Sequence, residues 1–339
     1  MITHTRKVPE RSAWQEALAD AISDPRELLR DLCLSPAALG SSEAALRQFS
    51  LRVPRGFAAR MHKGDARDPL LRQVLPVGAE TDPVPGYGTD PVGDLTAEVV
   101  PGVLHKYHGR VLLVLTGACA IHCRYCFRRH FPYGRSSPAR DRFESALCYL
   151  RDHPEITEVI LSGGDPLSLP DARLADLAAR LATIPHLRRL RVHSRLPIVL
   201  PERVDEALLS WLTGTRLSPV MVVHANHARE IDACVAHALA RLRRAGVTVL
   251  NQSVLLAGVN DELDVLVALS ERLFEAGALP YYLHLLDPVA GAAHFDVDPD
   301  RARRLYERLS RAVPGYLVPK LVRERPGAPY KVPLELLPP

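Results

Sequence analysis

Half of the six cysteines crowd into one stretch, TGACAIHCRYCFRRHF, where Cys119, Cys123 and Cys126 follow C-x3-C-x2-C spacing. Soft thiolates so close together can wrap a single metal centre. That there are three, not four, is the informative part, because a [4Fe-4S] cubane held by three thiolates keeps one iron open to another ligand. A structural zinc ion is the competing reading, with His122 or His130 as fourth ligand. The place of the loop at the carboxyl end of an apolar strand-like run, with Tyr125 just before the last cysteine, weighs towards the cluster. Cys33, Cys148 and Cys234 lie in helix-like patterns and are expected to be buried as small apolar residues.

A second signal is LSGGDPL, residues 161–167. Paired glycines let a backbone approach a ligand closely, although by itself the string is an ordinary strand-to-helix turn. One unit downstream of the cysteine loop, it resembles the segment that holds the amino group of S-adenosylmethionine (SAM) in radical SAM proteins. That resemblance assigns Gly163, Gly164 and Asp165 to SAM. It implies that the open iron chelates the nucleotide, and that an electron from the cluster splits the sulfonium to give a 5'-deoxyadenosyl radical.

The elements around these motifs form a regular series. Apolar runs occur at RVLLVLT (110–116), EVILSG (158–163), RRLRVHS (188–194), SPVMVVHA (218–225), VTVLNQSVL (247–255) and PYYLHLL (280–286). Between them lie amphipathic stretches such as DARLADLAARLATI and EIDACVAHALARLRRAG, the latter closed by Gly246 as a C-cap. Six β-then-α units predict an α/β fold with a parallel sheet, too few for a closed eight-stranded barrel, hence an open partial (β/α)6 barrel. Ligands of such sheets gather at the strands' carboxyl ends. Residues 12–60 read as amphipathic helix, and residues 65–101, rich in Pro, Gly and Asp, read as a wandering connector with no packed element. The expected division is an N-terminal helical region and connector (1–100), the barrel (101–315) and a C-terminal segment (316–339).

The chain has 339 residues, 47% of them hydrophobic, and a formal charge of +4. This mild charge, without basic runs interleaved with aromatics, argues against a nucleic-acid partner. There is no apolar leader and no stretch able to span a bilayer, so no membrane association and a cytoplasmic location are expected. Cysteines in that compartment point to metal or redox chemistry rather than disulfides.

Taken together, LHKYHGRVLLVLTGAC, CRYCFRRHF, LSGGDPL, HANHAREI, NQSVLLAGVND and PYYLHLLDPVAGAAHF resemble the lysine 2,3-aminomutase family. The closest likeness is to its short bacterial branch, linked to (R)-β-lysylation of elongation factor P, and it runs from about His105 to Lys331. The resemblance implies pyridoxal phosphate (PLP) attached to Lys331, one of only five lysines, as Schiff-base chemistry requires. It implies Arg110 on the cofactor's phosphate, Tyr107 beside the cofactor, and Lys106 where the family has an arginine. It further implies His224 and Gln252 as SAM contacts, Arg128 on the substrate's α-carboxylate, and Asp287 with Glu324 around the ε-ammonium of free L-lysine. Longer members have aspartate at the position of Glu324.

The activity so implied is conversion of L-α-lysine to (R)-β-lysine, an isomerisation driven by an electron from a donor such as flavodoxin or ferredoxin. The product would serve elongation factor P through a partner lysyl ligase; the alternative is a general aminomutase supplying β-lysine for metabolism or osmoprotection. Longer members also hold zinc through cysteines, one of which corresponds to Glu262 and others to a C-terminal extension beyond the position of Pro339, so no zinc is expected.

Overall fold

The computed structural model describes residues 12–36, 42–136 and 143–334. Residues 1–11 and 335–339 of the expected terminal regions, and residues 37–41 of the expected helical stretch, lie outside the described residues.

The six apolar runs form parallel strands β3 (Arg110–Thr116), β4 (Glu158–Gly163), β5 (Arg189–His193), β6 (Ser218–Val223), β7 (Thr248–Val254) and β8 (Leu279–His284). The sheet is larger than expected. A seventh parallel strand, β9 (Lys320–Arg323), follows β8, and β10 (Val332–Pro333) turns back along it. At the other end β1 (Glu98–Val100) and β2 (Val103–Tyr107) add antiparallel strands, so the spatial order is the chain order. Every residue of β4 is buried, as expected for a strand covered on both faces. The sheet curls far enough for its ends to meet, since Lys106 on β2 reaches Glu324, the residue after β9, at 2.9 Å.

Helices between the strands cover the outside: α6 (Glu144–Asp152), α7 (Asp171–Ala182), α8 (Leu196–Val199), α9 (Glu206–Thr213), α10 (Ala233–Arg244), α11 (Leu263–Glu275) and α12 (Pro299–Ala312). In α7, Leu174, Leu177, Ala178 and Leu181 recur at helical spacing and are all buried. Asp232 caps α10 through the amide of Val235, and Gly246, at a φ of +86°, ends it where a side chain would be strained. Shortening one of the fully buried core leucines, such as Leu113, to alanine should cost about 2–5 kcal/mol.

Before β1 the chain differs from expectation. The 12–60 stretch is not one helix but four short ones among the described residues: Ala13–Ala19, Pro25–Asp31, Glu43–Gln48 and Arg55–Ala58. The break comes at Ile22, which pairs with Val53 as an isolated bridge, and Asp24 then caps the helix that Pro25 begins. The segment 65–101 is packed, which corrects the expectation of a loose connector. Asp68 caps a helical turn, Pro69–Arg72, whose Leu70 and Leu71 join one core cluster with Trp14 and the barrel residues Leu113 and Leu161. Proline and glycine there make turns that hold the chain against the barrel. A further correction concerns Cys33, Cys148 and Cys234, which are exposed. Their helical surroundings did not reveal which face they occupy.

Candidate active site

One cavity of about 380 Å³ lies inside the curl, at the carboxyl ends of the strands. Several strands give it alternate residues, such as Ile160 and Ser162 of β4, Arg191 and His193 of β5, and Gln252 and Val254 of β7, because side chains of a strand point to opposite faces in turn. All fourteen residues that the sequence assigns to the cluster, SAM, PLP or substrate line it: Cys119, Cys123, Cys126, Gly163, Gly164, Asp165, His224, Gln252, Arg128, Tyr107, Arg110, Asp287, Glu324 and Lys331.

The cysteine loop leaves β3 at Thr116 and is held from beneath. Arg124, fully buried, donates to both Glu80 carboxylate oxygens and to the carbonyl of Phe49, and Arg129 joins the same glutamate at 2.9 Å. Burial, reinforced by the neighbouring Cys126, raises the Cys119 thiol well above its ordinary range; burial with Cys123 raises Cys126 to about 11. Metal coordination is what draws protons from such thiols. Both histidines that could complete a zinc tetrahedron have other partners: His122 Nδ1 is 2.8 Å from the Ser50 carbonyl, and His130 Nε2 is 3.1 Å from that of Ala290. Among the described residues, no three ligand atoms of these cysteines and histidines lie close enough together to share a single ion, whereas three thiols facing one cavity fit a cluster held by three sulfurs.

Gly163 and Gly164 are fixed by the loop itself. A Cβ at Gly163, which has a φ of +121°, would lie 2.6 Å from the Thr116 carbonyl, and one at Gly164 would lie 2.5 Å from that of Ala118. The close approach is thus of backbone to backbone, while both glycines also face the cavity. The Asp165 carboxylate is committed to the protein. Its Oδ1 accepts from Leu167 N and Ser194 Oγ, and its Oδ2 from Arg195 N and Leu196 N. Burial raises this acid to about 6 against those hydrogen bonds. His224 stacks on Tyr125 and shares a 2.9 Å hydrogen bond with its hydroxyl.

Across the cavity runs a ladder of alternating charge. Arg128 Nε bonds Asp94 at 2.7 Å, Asp94 meets Lys106 at 2.5 Å, Lys106 meets Glu324 at 2.9 Å, and Glu324 meets Lys331. Burial opposes ionisation of Asp94, but Arg128 and Lys106 outweigh it and lower its pKa. Lys331 and Lys106 likewise outweigh the burial of Glu324 and hold it well below the usual carboxylate range. Asp287 is the exception. The residue is half-buried, its buried Oδ1 has no hydrogen-bond partner, and desolvation plus the charge of Glu324 raise it to about 7.

The ladder tests the fit of the expected ligands. The Lys331 ammonium on Glu324 is itself an alkylammonium, so this corner of the cavity already accepts the group that ends a lysine side chain. Arg110 has its guanidinium 4.7 Å from the centre of the Tyr107 ring and has no carboxylate partner among the described residues, which suits a phosphate. Glu262, by contrast, sits in an exposed pairing with Arg301.

Sequence reasoning missed Asp94, Ser162, Arg191, His193, Arg195 and Glu230. Of these, Ser162 lies in LSGGDPL and Glu230 in HANHAREI, both motifs singled out for resemblance, but neither residue was assigned a role there. For Asp94, in a turn-rich segment, no periodic signal was available.

The radical SAM superfamily profile matches residues 113–269. Proteins named L-lysine 2,3-aminomutase are similar over nearly the whole chain. That of Escherichia coli K12 is 51% identical over 98% of this chain and 97% of its own length. That of Haemophilus influenzae is 48% identical over 96% of each. That of Clostridium subterminale is 33% identical over 95% of this chain and 77% of its own.

Proposed function

From the membership of this chain in the lysine 2,3-aminomutase family of radical SAM enzymes, we propose that it converts L-α-lysine to (R)-β-lysine. We assign the [4Fe-4S] cluster to Cys119, Cys123 and Cys126, SAM to the wall formed by Gly163, Gly164, Asp165, His224 and Gln252, and PLP to Lys331, Arg110 and Tyr107. The observation that carries the reading is that three thiols, a lysine and an acid with a buried, unpartnered oxygen share one cavity.

When bound, these groups supply a carbon radical and an aldehyde able to hold the α-nitrogen while it migrates. The protein's part is to bind, orient and keep water out. Arg128 offers a guanidinium fixed by Asp94 to the substrate carboxylate. Asp287 and Glu324 receive the ε-ammonium. Without a cation between them the two acids repel, so a shorter or neutral side chain leaves buried charge uncompensated and is rejected. The residues assigned to SAM lie with the sulfurs and those assigned to substrate with the acids along one cavity, so SAM and lysine would be held in the same space.

The product is destined for elongation factor P through a lysyl ligase, in the cytoplasm, with a flavodoxin or ferredoxin as electron donor. Similarity to short relatives over almost their entire length supports this branch. The test is anaerobic incubation of cluster-loaded enzyme with lysine, SAM, PLP and dithionite, followed by separation of α- from β-lysine. A fully loaded sample that forms no β-lysine rejects the substrate. A deletion strain whose elongation factor P keeps its β-lysyl group rejects the destination.

A further inference from the structure

Arg195 takes no part in the roles assigned above, yet its guanidinium is directed at a cluster cysteine. Its Nη1 lies 2.6 Å from Cys123 Sγ, while Nη2 donates to Gln73 Oε1 at 2.7 Å and to Glu230 Oε2 at 3.0 Å. Asp165 fixes its backbone amide at 2.8 Å, and the rings of Phe57 and Tyr125 flank the guanidinium. Glu230 is wholly buried and accepts in addition from Gln73 and from the amides of Asn226 and His227. The result is an oriented, buried pair, with its cation on the sulfur side and its anion behind.

We propose that Arg195 is a positioning residue that sets the reduction potential of the cluster through Cys123, with Glu230 limiting its effect; this rests on the assignment of the cluster to the three cysteines. The step concerned is a one-electron reduction of the cluster from 2+ to 1+ by a low-potential donor, with no proton gained or lost at Arg195. The reduced cluster carries one more negative charge. A cation at the sulfur therefore favours it, and hydrogen bonds and charge near cluster sulfurs are established levers on such potentials. Because Arg195 is buried and Glu230 wholly so, the charge is less screened than one at the surface.

The experiment uses the full chain, reconstituted anaerobically with iron and sulfide, in wild-type, R195Q, R195K and E230Q forms. Iron and sulfide per chain are measured first. The reduced fraction is then followed by electron paramagnetic resonance in a mediated dithionite titration without SAM or lysine. R195Q should lower the reduced-to-oxidised ratio at a fixed potential about tenfold, which is ~59 mV for one electron. R195K keeps the charge but not the fork and should fall between R195Q and wild type. E230Q removes the anion behind the cation and should shift the ratio the opposite way.

A purely packing role would leave the potential unmoved, or move R195Q and E230Q in the same direction; either result overturns the proposal. If R195Q holds no cluster, R195K and E230Q decide, and shifts of the same sign in those two refute it. A wild-type protein with no cubane overturns the cluster assignment itself, and this inference with it.

Discussion

Asp287 should make the empty enzyme less stable, and replacing it with asparagine should show by how much. The acid is half-buried, its buried Oδ1 lacks a partner, and desolvation with the charge of Glu324 raises it to about 7 from an ordinary 3.8. Because the folded value is the higher one, the folded chain keeps a proton that the unfolded chain releases as pH rises from about 4 to 7. Stability therefore falls across that window, and the full cost is present above it. A gap of about three units corresponds to roughly 4 kcal/mol. Asp287→Asn keeps the shape and removes the ionisation. Its buried amide has its own need for a partner, which takes back about 1–3 kcal/mol at every pH. The pH-dependent part survives that correction, so the variant should gain on wild type by roughly 3–4 kcal/mol between pH 4 and pH 8. Urea unfolding of the cofactor-free chain, followed by circular dichroism at several pH values, measures it. A variant whose difference from wild type is flat with pH would refute the reasoning, because it would mean Asp287 is solvated or paired.

Lys331→Ala should abolish the visible absorbance that PLP gains on Schiff-base attachment, and a band that persists moves the attachment elsewhere. Gly164→Ala should reduce iron and sulfide per chain after reconstitution while far-ultraviolet circular dichroism is retained, since its Cβ would lie 2.5 Å from the Ala118 carbonyl in the cysteine loop; full loading would mean the loop can yield. Glu80→Gln leaves Arg124 and Arg129 buried without their anion and should cost about 3–5 kcal/mol in urea unfolding. A loss under about 1 kcal/mol would show that water reaches this site.

The six central strands were legible because apolar runs in a doubly covered sheet are nearly continuous, as in β4. The flanking strands were not. β9 is four residues with a charged group at each end, and β10 is two residues long, so neither offers a hydrophobic period. The metal and lysine positions stood out by residue type, since thiols at close spacing and a rare lysine are chemical signals that survive without a fold. The ions that orient them did not. Asp94 and Arg195 look like any acid or base in a loop, and only the curl of the sheet brings them against Arg128 and Cys123. The packed segment 65–101 was misread for a related reason: prolines and glycines mark turns, and turns look the same whether they wander in solvent or hug a core.

On the proposed assignment, the same curl would couple binding to closure. An open sheet has two ends that nothing in its strand pairing joins, and among the described residues β1 and β10 do not pair. What spans the gap is Lys106 of β2 on Glu324 after β9, backed by Asp94 and Arg128 on one side and Lys331 on the other. Three of these five residues, Arg128, Glu324 and Lys331, are ones assigned to substrate or PLP. Buried pairs contribute little net stability but are costly to break on one side only. A ligand that takes Lys331 away from Glu324 must therefore return a cation to that carboxylate, and the ε-ammonium of lysine is such a cation. On the proposed assignment, selectivity for lysine and the joining of the sheet's two ends rest on the same carboxylate.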